Sequence, residues 1–226
     1  MPVFRQTTER RASARWVAVS FTLALAACQP VASPSTQASS GATGNGTGAG
    51  SDPSASADLA ALTIAAQHSM KGYTREHFPH WNQQGNGCDT REVVLKRDGK
   101  NVTVGTSCKI TGGTWYSPYD GKTFTDPQKL DIDHMVPLAD AWRSGADTWD
   151  DSKRSDFAND LTRPQLLAVS ASANRAKGDQ DPSQWRPTNR GYWCEYAQRW
   201  IAVKKYWKLT ITDSEKSKLI EMLGTC

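Results

Sequence analysis

Between Gln29 and Ser56 the chain is built almost entirely from Ser, Ala, Gly, Thr, Pro, Gln and Asn, and no large apolar side chain follows Val31 there. A segment of that kind buries too little surface to offset its ordering entropy, so residues 29–56 are expected to form a flexible tether. Everything that folds must come after it. Of the 226 residues, roughly 170 remain, enough for one domain with its own core.

Ahead of the tether lies a leader. Arg5, Arg10, Arg11 and Arg15 supply a positive start, and Trp16 to Ala27 form an alanine-rich apolar stretch. At about a dozen residues it is too short for a permanent transmembrane helix, and it reads as a secretion signal over residues 1–28. Its end, Leu25-Ala26-Ala27-Cys28, resembles the lipobox of bacterial lipoproteins, which implies acylation of Cys28 and an anchor at the outer face of the cell membrane. The alternative is an ordinary signal cut near Ala27, with a secreted product and an incidental Cys28.

The leader also distorts the charge. The whole chain carries a net +4, but removing four Arg and one Glu with the leader leaves 23 basic and 22 acidic residues. The mature protein is nearly neutral, so any affinity for nucleic acid must come from a local patch. With Cys28 set aside, Cys88, Cys108, Cys194 and Cys226 remain. An even count in an exported chain suggests two disulfides. Three pairings exist, and local organisation favours Cys88 with Cys108 and Cys194 with Cys226. A zinc site is disfavoured, because none of the four lies in a Cys-x-x-Cys pair.

Within the domain, residues 57–226, the pattern predicts an α+β fold with more helix than strand. A short helix is expected over Leu59–Gln67. Glu92–Arg97 and Val102–Thr106 read as strands joined at Asp98-Gly99, a hairpin signal. The Gly- and Tyr-rich stretch Thr111–Thr125 reads as loop. Leu130–Ile132 is a strand candidate, followed by a helix opened by Pro137 and closed by Gly145. Asp150 or Asp151 is placed to cap a helix through Phe157. Leu166–Val169 reads as a strand, and Ser170 or Ser172 as the cap of a brief helix that Gly178 ends. Trp193, Tyr196, Ala197, Trp200 and Ile201 fall on one helical face, which predicts a core stripe. Thr212-Asp213-Ser214-Glu215 is a capping box opening a last helix with Leu219, Ile220 and Leu223 inward.

Chemistry concentrates in Asp131-Ile132-Asp133-His134-Met135-Val136-Pro137. The chain has only four histidines, and this one ends a predicted strand among carboxylates. Asp133 offers a hard oxygen suited to magnesium or manganese. His134 can accept a proton from water at neutral pH. Phosphodiester hydrolysis needs both functions. The partner segment is Ala173-Asn174-Arg175-Ala176-Lys177-Gly178-Asp179.

Together these blocks resemble an HNH endonuclease of the branch related to the C-terminal domain of GmrSD-type restriction enzymes, and also the HNH domain of the RNA-guided CRISPR nuclease. The resemblance implies a ββα-metal unit holding one divalent cation, Mg2+ or Mn2+. By position, Asp133 and Asn174 become metal ligands, His134 the general base, and Asp131 an outer residue. It further implies a nucleic-acid substrate, DNA foremost, cleaved to 5′-phosphate and 3′-hydroxyl ends. The middle Asn of the signature, which steadies the loop bearing the base, is replaced: the equivalent position is Gln165, with Asn159 nearby as another candidate. Gly87-Cys88-Asp89-Thr90-Arg91 and Ser117-Pro118-Tyr119-Asp120-Gly121 extend the likeness upstream.

Arg91, Arg175 and Lys177 are the candidate substrate-binding cations. Arg91 suits a phosphate or a structural carboxylate equally. Arg175 and Lys177 flank the proposed ligand, so at least one is expected to face substrate. His77 and His80 straddle Pro79, which disfavours a two-histidine metal helix; packing or capping roles are expected there, and a surface position for His68. A competing reading is a catalytically weak cell-surface binding module using the eight tryptophans beyond the leader. A zinc peptidase is disfavoured, since no His-Glu-x-x-His cluster exists.

Overall fold

In the computed structural model, which describes residues 53–226, the first helix is α1, Pro53–Ala61. The signal, the lipobox with Cys28 and most of the tether lie outside the described residues. The helix therefore starts inside the stretch expected to be tether, and it stops before Gln67. Its end has a local reason: β-branched Thr63 and Ile64 follow, and Ile64 forms a parallel bridge with Ile211. No described helix is long and apolar enough to cross a membrane.

The expected hairpin at Asp98-Gly99 is replaced by helix α2, Thr90–Asp98. Two local groups decide the matter. The Asp89 side chain accepts from the Glu92 amide while the Glu92 carboxylate accepts from the Asp89 amide, a reciprocal capping box. Val94 and Leu95 then fall on one helical face and are buried. Gly99 ends the helix, donating its amide to Leu95 O. A Cβ there would sit 2.5 Å from the Trp115 ring nitrogen, so no larger residue fits.

After α2 come β1, Lys100–Val104, β2, Ile110–Ser117, and β3, Lys122–Phe124, an antiparallel sheet in the order β1-β2-β3. The stretch expected to be loop thus holds two strands. Glycines are poor strand formers, but Trp115 plugs the core under α2 and donates to Leu95 O at 2.7 Å, which anchors β2.

The second sheet agrees with expectation. Strand β4, Leu130–His134, pairs antiparallel with β5, Leu166–Ser170, in the register Asp131↔Val169, Asp133↔Leu167, His134↔Leu166. Period-two alternation sends Leu130 and Ile132 into a small core with Val94, Leu95 and Trp115. Asp131 and Asp133 go to the opposite face, beneath helix α5, Ala171–Lys177, which Ser170 caps by accepting from the Ala173 amide. The outer edge of β5 is covered by the end of α2. Arg97 donates to Leu166 O, and Asp98 accepts the Ala168 amide at 2.8 Å.

Helices α3, Leu138–Arg143, and α4, Asp151–Ala158 capped by Asp150, fill the gap between the two strands. Helices α6, Trp193–Trp207, and α7, Asp213–Leu223, close the large core. Tyr196, Ala197, Trp200 and Ile201 are buried as the stripe predicts. The Thr212–Glu215 capping box forms. On α7 Leu219 and Met222 are buried and Leu223 packs half-buried against the same core, whereas Ile220, expected inward, is 56% exposed. Disulfides join Cys88 to Cys108 and Cys194 to Cys226, the local pairing expected.

Candidate active site

Asp133, His134 and Asn174 line one cleft of about 270 Å³, together with Tyr73, Arg75 and Arg175. The adjacent pair Asp133-His134 and the distant Asn174 converge because β4 ends where α5 crosses it. Asn174 and Lys177 are one helical turn apart and so share a face of α5. That face lies on Asp131 and Asp133, two apart on β4 and therefore on the same side of the strand.

The imidazole of His134 is buried, 6% exposed. Its Nε2 lies 2.9 Å from Ala158 O. A carbonyl only accepts, so Nε2 carries the proton and Nδ1 keeps its lone pair. Nδ1 has no hydrogen-bond partner among the described residues, and the ring borders the cleft. Burial pushes the ring's pKa down to about 3, against the Ala158 bond, which raises it, and helped by the nearby charge of Arg75. The ring is therefore neutral at any ordinary pH, as a proton acceptor must be. Trp81 stacks on it with ring centres 5.6 Å apart and planes at 19°. Trp81 holds a φ of 61°, an uncommon conformation for a bulky residue and one that concentrates at functional sites.

Gln165, at the position of the signature's middle Asn, braces the chain after His134. Its side chain is fully buried; Oε1 accepts the Val136 amide at 3.1 Å and Nε2 donates to Val136 O at 2.9 Å. The Met135 amide donates to Gln165 O at 2.6 Å. Gln165 thus pins the turn directly after His134. Asn159 instead ties the segment before α2, accepting from the Asn82 amide and Thr90 Oγ1 and donating to Pro79 O.

Asp133 sits in a tight polar nest. Lys177 Nζ donates to Oδ1 at 2.9 Å and to Oδ2 at 2.7 Å, and Tyr119 Oη donates to Oδ2 at 2.5 Å. The same ammonium donates to His134 O at 2.7 Å. Burial pushes the Asp133 carboxyl up and the Lys177 amine down; each is opposed by the charge and hydrogen bonds of the other. With all three ammonium protons used, the pair has the geometry of an ion pair. A carboxylate offers about four lone-pair sites, so Oδ1 retains capacity toward the cleft. Asn174 donates through Nδ2 to Asp131 Oδ2 at 3.1 Å, which leaves its amide oxygen free for the cleft. Asp133 and Asn174 thus each bring a hard oxygen to the border of the same cleft.

Not every expected cation faces the cleft. Lys177 is 0% exposed, spent on Asp133, and does not reach substrate. Arg91 is also internal in role, donating to Leu130 O at 2.9 Å and Pro127 O at 3.3 Å, so it secures the start of β4. Arg175 does line the cleft, its side chain 77% exposed and only 3.8 Å from Asp131. The remaining histidines serve packing and pairing. His68 meets Asp147 at 2.9 Å, His77 meets Asp151 at 3.2 Å, and His80 Nδ1 donates to Phe78 O. The eight described tryptophans are buried or half-buried, none exposed.

Arg75 carries no signal in the sequence, and Tyr119 only its place in the Ser117–Gly121 block. Tyr119 belongs to a hairpin whose approach to β4 no local pattern announces, and Arg75 sits in a 3-10 turn with no motif around it. A second acidic group, Asp140, Asp181 and Glu215, lies buried within reach of a common point. Lys204 Nζ already fills it, 2.6 Å from Asp140 and 3.5 Å from Glu215.

An antiparallel strand pair and a capped helix, closing a histidine, a carboxylate and an amide around one cleft, define an HNH-type α+β domain. The family model of the C-terminal domain of GmrSD restriction endonucleases matches residues 89–222, and the chain belongs to that family. It is 52% identical over 168 residues, 74% of this chain and 82% of the relative, to a protein of the fungus Arthroderma benhamiae described as an uncharacterized secreted protein. The two disulfides of this chain suit an oxidising compartment. No solved structure matches the chain.

Proposed function

We propose that this protein is a metal-dependent endonuclease that hydrolyses phosphodiester bonds, of DNA foremost, outside the cytoplasm. The observation that carries the reading is the meeting of Asp133, His134 and Asn174 at one cleft, with the imidazole proton held at Ala158. Nδ1 of His134 takes a proton from a water, whose oxygen then attacks phosphorus in line with the leaving O3′. The P–O3′ bond breaks and the departing O3′ takes a proton from solvent, leaving a 5′-phosphate and a 3′-hydroxyl. Asp133 Oδ1 and the Asn174 amide oxygen would hold Mg2+ or Mn2+; when bound, the ion supplies neutralisation of the charge on the phosphoryl and leaving oxygens. Gln165 and Trp81 hold the ring in place, and Lys177 with Tyr119 fixes the carboxylate. Acylation at Cys28 would keep the enzyme at the cell surface, at the end of its tether.

The test is plasmid cleavage by the purified chain with Mg2+ or Mn2+. The reading expects nicking that a chelator stops and that His134→Ala lowers by about 10²–10⁴-fold. Equal nicking by the wild type and His134→Ala would contradict it.

A further inference from the structure

Among the described residues, arginine side chains are almost all engaged. Arg91 and Arg97 bond strand carbonyls; Arg143, Arg154 and Arg163 pair with Asp179, Asp151 and Asp160; Arg186 and Arg199 pair with Glu221 and Glu195. Arg190 lies over the Trp193 ring. Among the described residues, Arg75 alone has an arginine side chain without a hydrogen bond, ion pair or ring contact, and it lines the cleft beside His134. The charge of Arg75 is close enough to bear on the His134 ring.

Its backbone is not loose. Arg75 opens the 3-10 turn Arg75–His77, and the flanks of that turn are fixed. Phe78 is fully buried, the Tyr73 ring meets Trp142 edge-on at 5.7 Å, and His77 stacks on Trp142 and pairs with Asp151. Arg154 donates to His77 O at 3.1 Å. A rigid wall thus presents an unspent guanidinium to a cleft whose other border, on α5, presents Arg175, exposed and held only by a long 3.8 Å pairing with Asp131. Two guanidinium forks at a cleft that holds a neutral base suit an anion with several acceptor oxygens.

We infer that Arg75 and Arg175 form a two-sided clamp for the backbone phosphates of a nucleic-acid strand, with Arg75 holding the strand on the His134 side. This deepens the nuclease reading and rests on it. It also explains how a nearly neutral chain engages a polyanion: the affinity is concentrated in the cleft and not spread over a basic face. Arg75 precedes the segment matched by the family, residues 89–222, so the clamp is completed by a part of the chain that lies outside that segment.

The experiment is fluorescence anisotropy of a labelled DNA oligonucleotide with the full chain carrying His134→Ala, in Mg2+ and over a salt series. Arg75→Gln and Arg175→Gln are each expected to weaken binding several-fold and to reduce the slope of log K against log[salt] by about 1. Arg75→Lys is expected to keep the slope while losing part of the affinity, since the charge stays and the fork goes. Lys96→Gln is the control; Lys96 is exposed on α2 and does not line the cleft. Wild-type affinity and slope in Arg75→Gln, or an equal loss in Lys96→Gln, would overturn the clamp. Cleavage by the wild type is scored separately. Cleavage with Arg75-independent binding sinks the clamp alone, and Arg75-dependent binding without cleavage sinks the nuclease reading alone.

Discussion

Two lysines are completely buried in this molecule, and they face opposite demands. Lys204 lies under α7, with Nζ against Asp140, Ser144 Oγ, Thr210 O and Glu215. Lys177 lies under β4, with Nζ on both oxygens of Asp133 and on His134 O. Burial lowers the pKa of each. At Lys204 the charges of Asp140 and Glu215 overcome burial and the net shift is upward; at Lys177 the one strong partner, Asp133, does not, and the net shift is downward. The first site is overprovided with negative charge and closed. The second is nearly balanced and opens on a cleft through an oxygen with spare capacity. The same device, a buried ammonium on a buried carboxylate, ties the helical layer in one place and fixes a cleft-lining carboxylate in the other.

Removing each lysine tests that division most strongly. Lys177→Met and Lys204→Met each leave a buried carboxylate without its cation, and each is expected to cost about 3–5 kcal/mol in urea unfolding. Their activities should part. Per folded molecule, Lys204→Met should cleave plasmid DNA like the wild type, while Lys177→Met should lose cleavage with its fixed Asp133. Equal activity in the two folded variants would erase the distinction.

A smaller effect is expected at Gln165, on the cleft side of the comparison. Gln165→Ala strands the buried amide and carbonyl of Val136, at about 1–3 kcal/mol for an unsatisfied group. It should also lower kcat more than it raises KM, because it loosens the turn after His134. A stability loss with kcat untouched would make Gln165 purely structural.

The Lys204 side also carries a pH dependence. Burial raises Glu215 to about 7 from its ordinary 4.5, against the opposing charge of Lys204. The folded state then holds a proton that the unfolded state has released, so this contribution is full below about 4.5 and disappears as pH rises through about 7. Glu215→Gln cannot lose that proton. Its stability relative to wild type should be flat below about 4.5 and increase between there and about 7. A constant difference across that window would refute the shift.

The strand pair and helix that form the cleft were readable because their signals are local. Alternation along Leu130–His134, the Ser170 cap and the Gly178 stop all lie within a few residues of what they control. Misreadings came where two local signals competed. Val93 and Val94 suggested a strand, and the Asp89–Glu92 box outweighed them. Lys177 looked like a substrate contact, although its i, i+3 relation to Asn174 already placed it on the face turned toward β4. Tyr119 and Arg75 were hidden for a different reason. Each reaches the site through tertiary packing, from the β2–β3 hairpin and from a turn anchored on Trp142.

The most direct test of the account is a Mn2+ titration of the purified chain followed by electron paramagnetic resonance. Asp133, His134 and Asn174 sharing one cleft, with only the two oxygens as ligands, predicts a single bound ion per chain. That binding should be lost in Asp133→Ala and in Asn174→Ala and kept in His134→Ala. Absence of binding in the wild type, or undiminished binding in Asn174→Ala, would contradict the convergence on which the site is built.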